Sequence, residues 1–221
     1  MMAKREVKAV SAEEAWLASL DARIAAEKRG AKKAEDKQAA AAVRVERAPV
    51  IAMARPHPAT LAVDVLLRDC VMGKSKSGGP GGQNRNKVET TVTLTHMPSG
   101  VETHAGERRT SMENKRMALM RLRLALAVQV RCDVMQGDAR SALWQSRCKN
   151  EKIVVSTSHE DFPAMLAEAL DCVYVCDMDP KVASARLCCS LSQLIKLMKD
   201  HPPAFVWVNV MRAAGGMRGL K

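Results

Sequence analysis

Aromatic side chains are scarce in this chain of 221 residues, at 3% of the composition. Proteins that stack bases on Phe, Tyr or Trp platforms need such side chains, so this mode of nucleic-acid binding is not expected. The sequence also lacks any run of eighteen apolar residues, and no membrane-spanning helix is predicted. No secretory signal is visible, because charged residues open the chain and no apolar segment follows them.

The seven cysteines lack the pattern of a disulfide framework. Their number is odd and their spacing is irregular, which indicates a reducing compartment. Cys172, Cys176, Cys188 and Cys189, with His201 nearby, suggest a zinc site. However, no Cys-x-x-Cys pair occurs and the surrounding sequence is apolar. We therefore expect buried thiols, with no metal and no other cofactor.

Positive charge is abundant and unevenly placed. The formal net charge is +11. Residues 68–150 hold fifteen Lys and Arg against seven Asp and Glu, whereas residues 151–221 hold eight of each. Residues 1–50 have a small excess, eleven against eight. This distribution predicts an anionic partner, such as a phosphate backbone, for the middle of the chain.

The pattern of the sequence predicts an α+β fold with a small mixed or antiparallel sheet and a packed helix. Ser11 and Glu14 form a capping box for a long N-terminal helix over 11–47, and a proline-rich linker follows to residue 58. Residues 60–70 predict a short helix that leads to a strand near 70–76. Alternation over 88–95 predicts a second strand, Met97–Gly100 a turn, 101–104 a return strand, and 112–131 an amphipathic helix.

Residues 132–221 are predicted to form a connector and a helical unit. Residues 132–158 are predicted to be irregular, with a short strand at 152–156. Helices are predicted at about 160–175, 180–189, 191–199 and 203–214, and the middle pair has helix-turn-helix spacing. The resulting domains are 1–58, 59–131, 132–158 and 159–221. Because the last unit is electrically neutral, we expect it to pack or dock onto protein rather than grip DNA.

The most informative segment is the glycine loop, Ser77–Lys87, which reads Ser-Gly-Gly-Pro-Gly-Gly-Gln-Asn-Arg-Asn-Lys. Glycine and proline at this density exclude a strand or a helix. A Walker A loop requires Lys-Ser or Lys-Thr after its glycines, and a dinucleotide fingerprint requires a helix to follow. Neither requirement is met, because Gln-Asn-Arg-Asn and then a strand follow the glycines.

The wider pattern resembles the catalytic domain of class I peptide chain release factors and their stand-alone relatives. That family has Ser-Gly-x-Gly-Gly-Gln-x-x-Asn-Lys, a strand ending in Thr-His-x-Pro-Thr-Gly, an Arg-Ser-Gln element, and an Asn that opens a basic helix. This chain has the glycine loop, then Thr95–Gly100, Arg109–Ser111 and Asn114. Order and spacing agree over about residues 68–130. The departures are Asn84 where His is common, and Arg-Thr-Ser in place of Arg-Ser-Gln.

The resemblance implies hydrolysis of the ester that links a nascent peptide to tRNA. It implies that Gly81, Gly82 and Gln83 are catalytic, with the two glycines permitting entry to a narrow centre and the Gln83 N–H acting as a donor. No base-activated nucleophile occurs in the loop, so positioning on the ribosome supplies most of the catalysis. The residues expected to contact RNA are Lys74, Lys76, Arg85, Asn86, Lys87, Arg108, Arg109, Lys115, Arg116 and Arg123; Arg121 is a further basic candidate.

Decoding release factors also carry a Pro-x-Thr or Ser-Pro-Phe tripeptide on a large codon-reading domain. Pro58-Ala59-Thr60 matches the first, but it lies about twenty residues before the glycine loop with only a helix and a linker ahead of it. We interpret this match as coincidence, and we expect no stop-codon recognition.

The sequence thus predicts a codon-independent, ribosome-dependent peptidyl-tRNA hydrolase that releases peptide from stalled ribosomes or large subunits. Its expected partners are large-subunit rRNA at the peptidyl-transferase centre and P-site peptidyl-tRNA, with other ribosomal or assembly proteins contacting the terminal helices. The alternative is a non-catalytic ribosome component or large-subunit assembly factor. A helix-turn-helix DNA regulator is disfavoured because the helix 191–199 offers only Lys196 and Lys199. The expected location is a mitochondrial matrix or a bacterial-type cytoplasm.

Overall fold

The computed structural model describes residues 50–76, 88–134 and 138–221. The strands of this part are β1 (Ile51–Met53), β2 (Cys70–Ser75), β3 (Thr91–His96), β4 (Val101–Ala105), β5 (Val130–Cys132), β6 (Cys148–Lys149) and β7 (Lys152–Ile153). The helices are α1 (Val63–Arg68), α2 (Ser111–Gln129), α3 (Ala142–Arg147), α4 (Phe162–Val175), α5 (Pro180–Arg186), α6 (Leu191–Lys199) and α7 (Pro202–Ala214). A 3-10 helix (Pro58–Thr60) precedes α1. Within these described ranges, no helix combines the length and the apolar character that crossing a bilayer requires.

An antiparallel sheet of β2, β3 and β4 carries α2 on one face. Residues of β3 alternate in burial, with Val92 and Leu94 buried and the intervening threonines partly exposed. The buried side chains meet the apolar face of α2, where Leu122 and Leu126 are fully buried. α2 also contacts α4 and the 3-10 helix, so its buried residues are not confined to the side that faces the sheet, while Met112, Arg116 and Gln129 are exposed. The predicted α+β fold, its hairpin and the helix predicted over 112–131 are confirmed, whereas the N-terminal helix predicted over 11–47 lies outside the described residues.

The turn between β3 and β4 explains the Thr-His-x-Pro-Ser-Gly sequence in structural terms. His96 is buried, and its Nδ1 lies 2.7 Å from the Ser99 hydroxyl. Gly100 closes the turn with a positive φ of +69°, a conformation that side chains disfavour, and its N–H donates to the His96 carbonyl at 2.8 Å. The Met97 N–H donates to the Asp69 carbonyl, which ties the turn to the start of β2. This motif therefore fixes the hairpin.

The segment predicted as a linker to residue 58 is part of the folded unit from residue 51 onward. β1 pairs in parallel with β5, with Ile51 opposite Val130 and Met53 opposite Cys132. His57 and Pro58 are buried beside this pair. A three-residue strand is too short to show an alternating pattern, which is why the prolines alone governed the prediction.

The connector predicted to be irregular contains regular elements. Ser141 caps α3 by accepting from the Trp144 N–H at 3.0 Å, and β6 and β7 form a tight hairpin. The predicted strand at 152–156 is shorter, since β7 ends at Ile153. Each of these elements spans two to six residues, below the length at which hydrophobic periodicity can be recognised.

All four predicted C-terminal helices are present. α4 packs along α2, and the side chains between them belong to one hydrophobic core that also includes the sheet. Asp179 caps α5 and Ser190 caps α6 through their side-chain oxygens. The Trp144 indole donates to the Leu187 carbonyl at 2.8 Å, which fastens the connector to the turn between α5 and α6.

A buried ion pair lies where β5, α4 and α7 meet. The Arg131 guanidinium donates to the Asp171 carboxylate at 2.9 Å, with both side chains 2% exposed, and stacks 4.6 Å from the Trp207 ring centre. Burial raises the pKa of Asp171 to about 6 and lowers the pKa of Arg131 to about 10, although each partner opposes the other's shift.

The seven cysteines are free thiols. Cys172 and Cys189 are buried, and burial raises the pKa of each to about 12, so both remain protonated at neutral pH. The prediction of buried thiols is therefore confirmed for Cys172 and Cys189, whereas Cys176 is partly buried and Cys188 is exposed.

Candidate functional site

The glycine loop joins the ends of β2 and β3, which form its stem. The last register pair of the two strands is Ser75 with Thr91. The predicted catalytic residues Gly81, Gly82 and Gln83 lie within 77–87, outside the described residues, as do Arg85, Asn86 and Lys87. The stem itself is defined on both sides, so the strands determine where the loop leaves the sheet.

Asn114 links the stem to the arginine-rich segment that follows β4, which contains Arg108 and Arg109. This side chain is fully buried in the first turn of α2. Its Nδ2 donates to the Thr90 carbonyl at 2.7 Å and to the Arg108 carbonyl at 3.0 Å, and its Oδ1 accepts from the Arg108 N–H at 2.9 Å. One amide therefore holds residue 90, just before β3, and residue 108 in a fixed relation. The sequence gives this Asn as part of the family pattern, but only the fold shows its partners.

Gly106 brings the end of β4 close to the start of β3. A Cβ atom at this position would lie 2.6 Å from the Thr91 hydroxyl oxygen, so any side chain would require the Thr91 side chain to move. The Gly106 N–H donates to the Glu107 carboxylate at 3.1 Å. Sequence reasoning did not single out this glycine, because its role depends on a contact between strands.

The segment around the stem presents several unneutralised cations. Lys74 and Lys76 lie exposed at the end of β2, and Arg108 and Arg109 lie exposed in the segment after β4. Arg116 is exposed on α2, and Lys115 is partly buried beside it. Among the residues that the structure describes, none of these six makes an ion pair. Unpaired cations on a folded surface are the arrangement expected where a phosphate backbone binds.

Two other arginines of α2 are engaged within the fold. Arg123, one of the predicted RNA contacts, donates to the Ala59 carbonyl at 2.9 Å and to the Glu160 carbonyl at 3.0 Å. Burial lowers its pKa. Arg121 pairs with Glu107 at 2.6 Å and donates to the His104 carbonyl at 2.7 Å, and its hydrogen bond lowers the pKa of Glu107. These two guanidinium groups hold backbone segments in place.

His57, Cys132 and Asp171 form the one group in the described ranges whose ligand atoms lie close enough together to hold a metal ion, within 4.8 Å of one another. The Ala59 N–H donates to His57 Nδ1 at 3.0 Å, so Nε2 carries the proton and faces the Val130 carbonyl at 3.2 Å. The Asp171 carboxylate accepts from Arg131 and from the Cys132 N–H. Both imidazole nitrogens are thus occupied, and a buried cation lies beside them. These contacts are typical of a hydrogen-bonded core cluster.

Comparison with known proteins shows which family this domain is similar to. Residues 59–160 match the model of the RF-1 domain. Peptide chain release factor PrfB1, chloroplastic, of Arabidopsis thaliana is 35% identical over 113 residues, which cover 45% of this chain and 25% of that protein. Peptide chain release factor 1 of Chlorobaculum tepidum is 39% identical over 71 residues, 32% of this chain and 20% of the relative. Peptide chain release factor 1 of a Nocardioides species is 30% identical over 124 residues, 50% of this chain and 35% of the relative.

The similarity is confined to part of each protein, since the chain spans between about a fifth and a third of the length of these relatives. The matched segment contains the stem of the glycine loop, the hairpin with His96 and Ser99, and α2 with Asn114. Residues 59–160 therefore form an RF-1 domain, through which the chain is similar to class I peptide chain release factors.

Proposed function

We propose that this protein hydrolyses the ester bond of peptidyl-tRNA on the ribosome and does so without reading a stop codon. The observation that carries the proposal is the stem of the glycine loop, which Asn114 fastens to the arginine-rich segment in an RF-1 domain that retains Gly81-Gly82-Gln83. The named relatives are peptide chain release factors, so peptide release is the activity that the shared RF-1 domain favours.

The proposed reaction requires few side chains of this protein. Water attacks the ester carbonyl, a C–O bond to water forms, the bond to the tRNA 3′ oxygen breaks, and a proton passes to that oxygen. The Gln83 N–H would stabilise the negative charge that develops on oxygen, and its side-chain amide would help to position the water. The cations around the stem would hold the loop against rRNA phosphates, so positioning accounts for most of the rate.

The tripeptide Pro58-Ala59-Thr60 supports the absence of codon reading. It forms a 3-10 helix in which Pro58 and Ala59 are buried. The Ala59 carbonyl is taken by Arg123, and the Thr60 hydroxyl donates to the His57 carbonyl at 2.7 Å. A codon-reading tripeptide must be accessible to mRNA, whereas two of these three residues are buried, and the exposed Thr60 has its hydroxyl bound to backbone.

The test measures peptide release from purified ribosomes that hold labelled peptidyl-tRNA and have no codon in the A site. The wild-type protein is expected to release peptide. Gly82→Ala is expected to lower the rate by roughly 100-fold, the scale of losing a positioned oxyanion donor, because a side chain there would displace the adjoining Gln83 N–H. Gln83→Ala keeps that N–H and removes only the amide that positions the water, so its loss is expected to be smaller. Gly78→Ala is the matched control, since it alters a glycine of the same loop outside the triplet.

The same assay distinguishes the hydrolase from a ribosome component or assembly factor. Stable ribosome binding without release by the wild-type protein would refute the enzyme and favour the docking role. Release that occurs only when a stop codon occupies the A site would refute codon independence while keeping the hydrolase.

A further inference from the structure

The β6–β7 hairpin presents two lysines opposite each other. Lys149 and Lys152 form a register pair across the two-residue turn Asn150-Glu151, and all four residues are exposed. Like charges directly opposite on paired strands destabilise the pair. Among the described residues, neither lysine has an acidic side chain at ion-pair distance. The hairpin tip therefore carries two lysine charges beside one carboxylate, that of the exposed Glu151.

The turn is also held in an unfavourable backbone conformation. Asn150 has a φ of +50° and Glu151 a φ of +62°. A two-residue hairpin turn of type I′ requires positive φ at both central positions, and Asn-Gly is its preferred pair. Asn tolerates this region, whereas Glu in place of Gly costs about 1 kcal/mol. The tight turn sets the two lysines opposite each other. Its sequence, Asn150-Glu151, is not one that local stability alone favours.

Contacts with the turn between α5 and α6 hold the hairpin in place. The Ser190 N–H donates to the Glu151 carbonyl at 3.0 Å, and the Ile153 N–H donates to the Gln193 side chain at 3.3 Å. The Val154 N–H donates to the Arg147 carbonyl at 2.8 Å, which fixes the outgoing strand. Because the tip is anchored from two sides, a partner that binds the lysines does not have to order the backbone.

A third lysine lies next to the hairpin on α6. Lys196 is exposed and lines the same shallow depression as Ile153, Gln193 and Asp200. In the part of the chain that the structure describes, Lys196 makes no ion pair. The hairpin and α6 together present three free ammonium groups.

We propose that Lys149, Lys152 and Lys196 form a contact surface for the phosphate backbone of RNA. The partner class follows from the composition of the tip, Lys-Asn-Glu-Lys, which lacks the aromatic or large apolar anchors on which protein interfaces depend. Ammonium groups bind phosphates as point charges without reading sequence. The identification of the RNA as ribosomal rests on the proposed function.

The experiment measures the affinity of the full chain for deproteinised large-subunit rRNA as a function of KCl concentration. Lys149→Gln/Lys152→Gln is expected to weaken binding by roughly tenfold near 100 mM salt and to reduce the slope of log K against log salt by about 1.5, since two phosphate contacts are lost. Lys181→Gln/Lys221→Gln is the matched control, because it removes the same charge from exposed positions elsewhere, and it is expected to change affinity less than twofold.

Three results would overturn the inference. The first is an unchanged affinity and salt slope in the hairpin variant. The second is an equal loss in the control, which would indicate diffuse attraction. The third is a loss on intact ribosomes with no loss on deproteinised rRNA, which would indicate a protein contact. Thermal unfolding of the hairpin variant is expected at or above the wild-type temperature, because a like-charge pair has been removed.

Release activity at saturating protein separates this inference from the proposed function. If the wild-type protein releases no peptide, and the hairpin variant binds RNA more weakly, the contact surface at Lys149 and Lys152 is supported and the hydrolase is refuted. Full peptide release, together with RNA binding that does not change in the hairpin variant, would support the hydrolase and refute the contact surface.

Discussion

His57 is a buried imidazole that the fold keeps neutral. Burial, reinforced by the nearby charge of Arg131, lowers its pKa from 6.5 to about 4. A depressed pKa means that the unfolded chain binds a proton at a pH where the folded chain does not. The stabilisation is therefore complete above pH 6.5 and is lost as the pH falls toward 4.

The expected result is that His57→Gln reduces the acid sensitivity of folding. Between pH 7.5 and pH 5, His57 should account for about 2 kcal/mol of the loss in unfolding free energy, and the variant should lack that part of the loss. Urea titrations at both pH values measure it. His104→Gln, at an exposed histidine on β4, should leave the difference between the two pH values unchanged, and an identical pH dependence in all three proteins would contradict the assignment.

Individual residues also show why sequence patterns identify a family more readily than they identify contacts. The pattern predicted a basic helix, and α2 is that helix, but it could not tell that Arg123 binds backbone carbonyls while Arg116 faces solvent. Whether an arginine of α2 binds backbone or faces solvent depends on which residues lie opposite it in the fold. For Arg123 this is the 3-10 helix at 58–60, which is more than sixty residues away in the chain.

At the scale of elements, α2 and the stem of the glycine loop are joined by Asn114. Substitution Asn114→Asp keeps the shape and the acceptor for the Arg108 N–H, but places carboxylate oxygen against the Thr90 and Arg108 carbonyls. Because buried acceptors would face each other without a donor, the unfolding free energy should fall by about 2–3 kcal/mol. Peptide release should fall with it, because the stem would no longer be held.

The matched control is Asn209→Asp, at a partly buried position on α7 whose Oδ1 accepts from the Leu220 N–H at 2.7 Å. This change removes one longer donor contact of 3.5 Å to the Leu220 carbonyl. Its expected cost is below about 1 kcal/mol. Equal destabilisation of the two variants in denaturant titrations would show that Asn114 has no special role.

Elements differ in how far the sequence predicts them. β3, β4, α2 and the four C-terminal helices each repeat a hydrophobic pattern over several turns or alternations, and all were predicted. β1, β5 and the β6–β7 hairpin span two or three residues, and their existence depends on partners. The parallel pairing of β1 with β5 joins residues nearly eighty positions apart, and no local signal specifies it.

At the scale of the molecule, the sheet and the C-terminal helices share one core through α2 and α4. The sequence predicts a division between residues 59–131 and 159–221, on the basis of charge and helix spacing. The packing of α4 along α2, with Leu166 and Leu170 fully buried, and the contact of Arg131 with Trp207 connect the two segments. This continuity leads us to expect that residues 50–221 unfold as a single cooperative unit.

Asp171→Ala tests that expectation, because it leaves Arg131 charged and buried at the junction of β5, α4 and α7. The loss should be about 3–5 kcal/mol, whereas Asp138→Ala, which removes the exposed partner of Arg140, should leave the unfolding free energy nearly unchanged. Hydrogen exchange followed by mass spectrometry should show β3, β4 and α6 losing protection by the same free energy, since a cooperative unit opens as a whole. If α5, α6 and α7 instead exchange at lower free energy while the sheet keeps its wild-type protection, the helices form a separately stable domain, and the division predicted from the sequence describes the folding of this chain better than its shared core does.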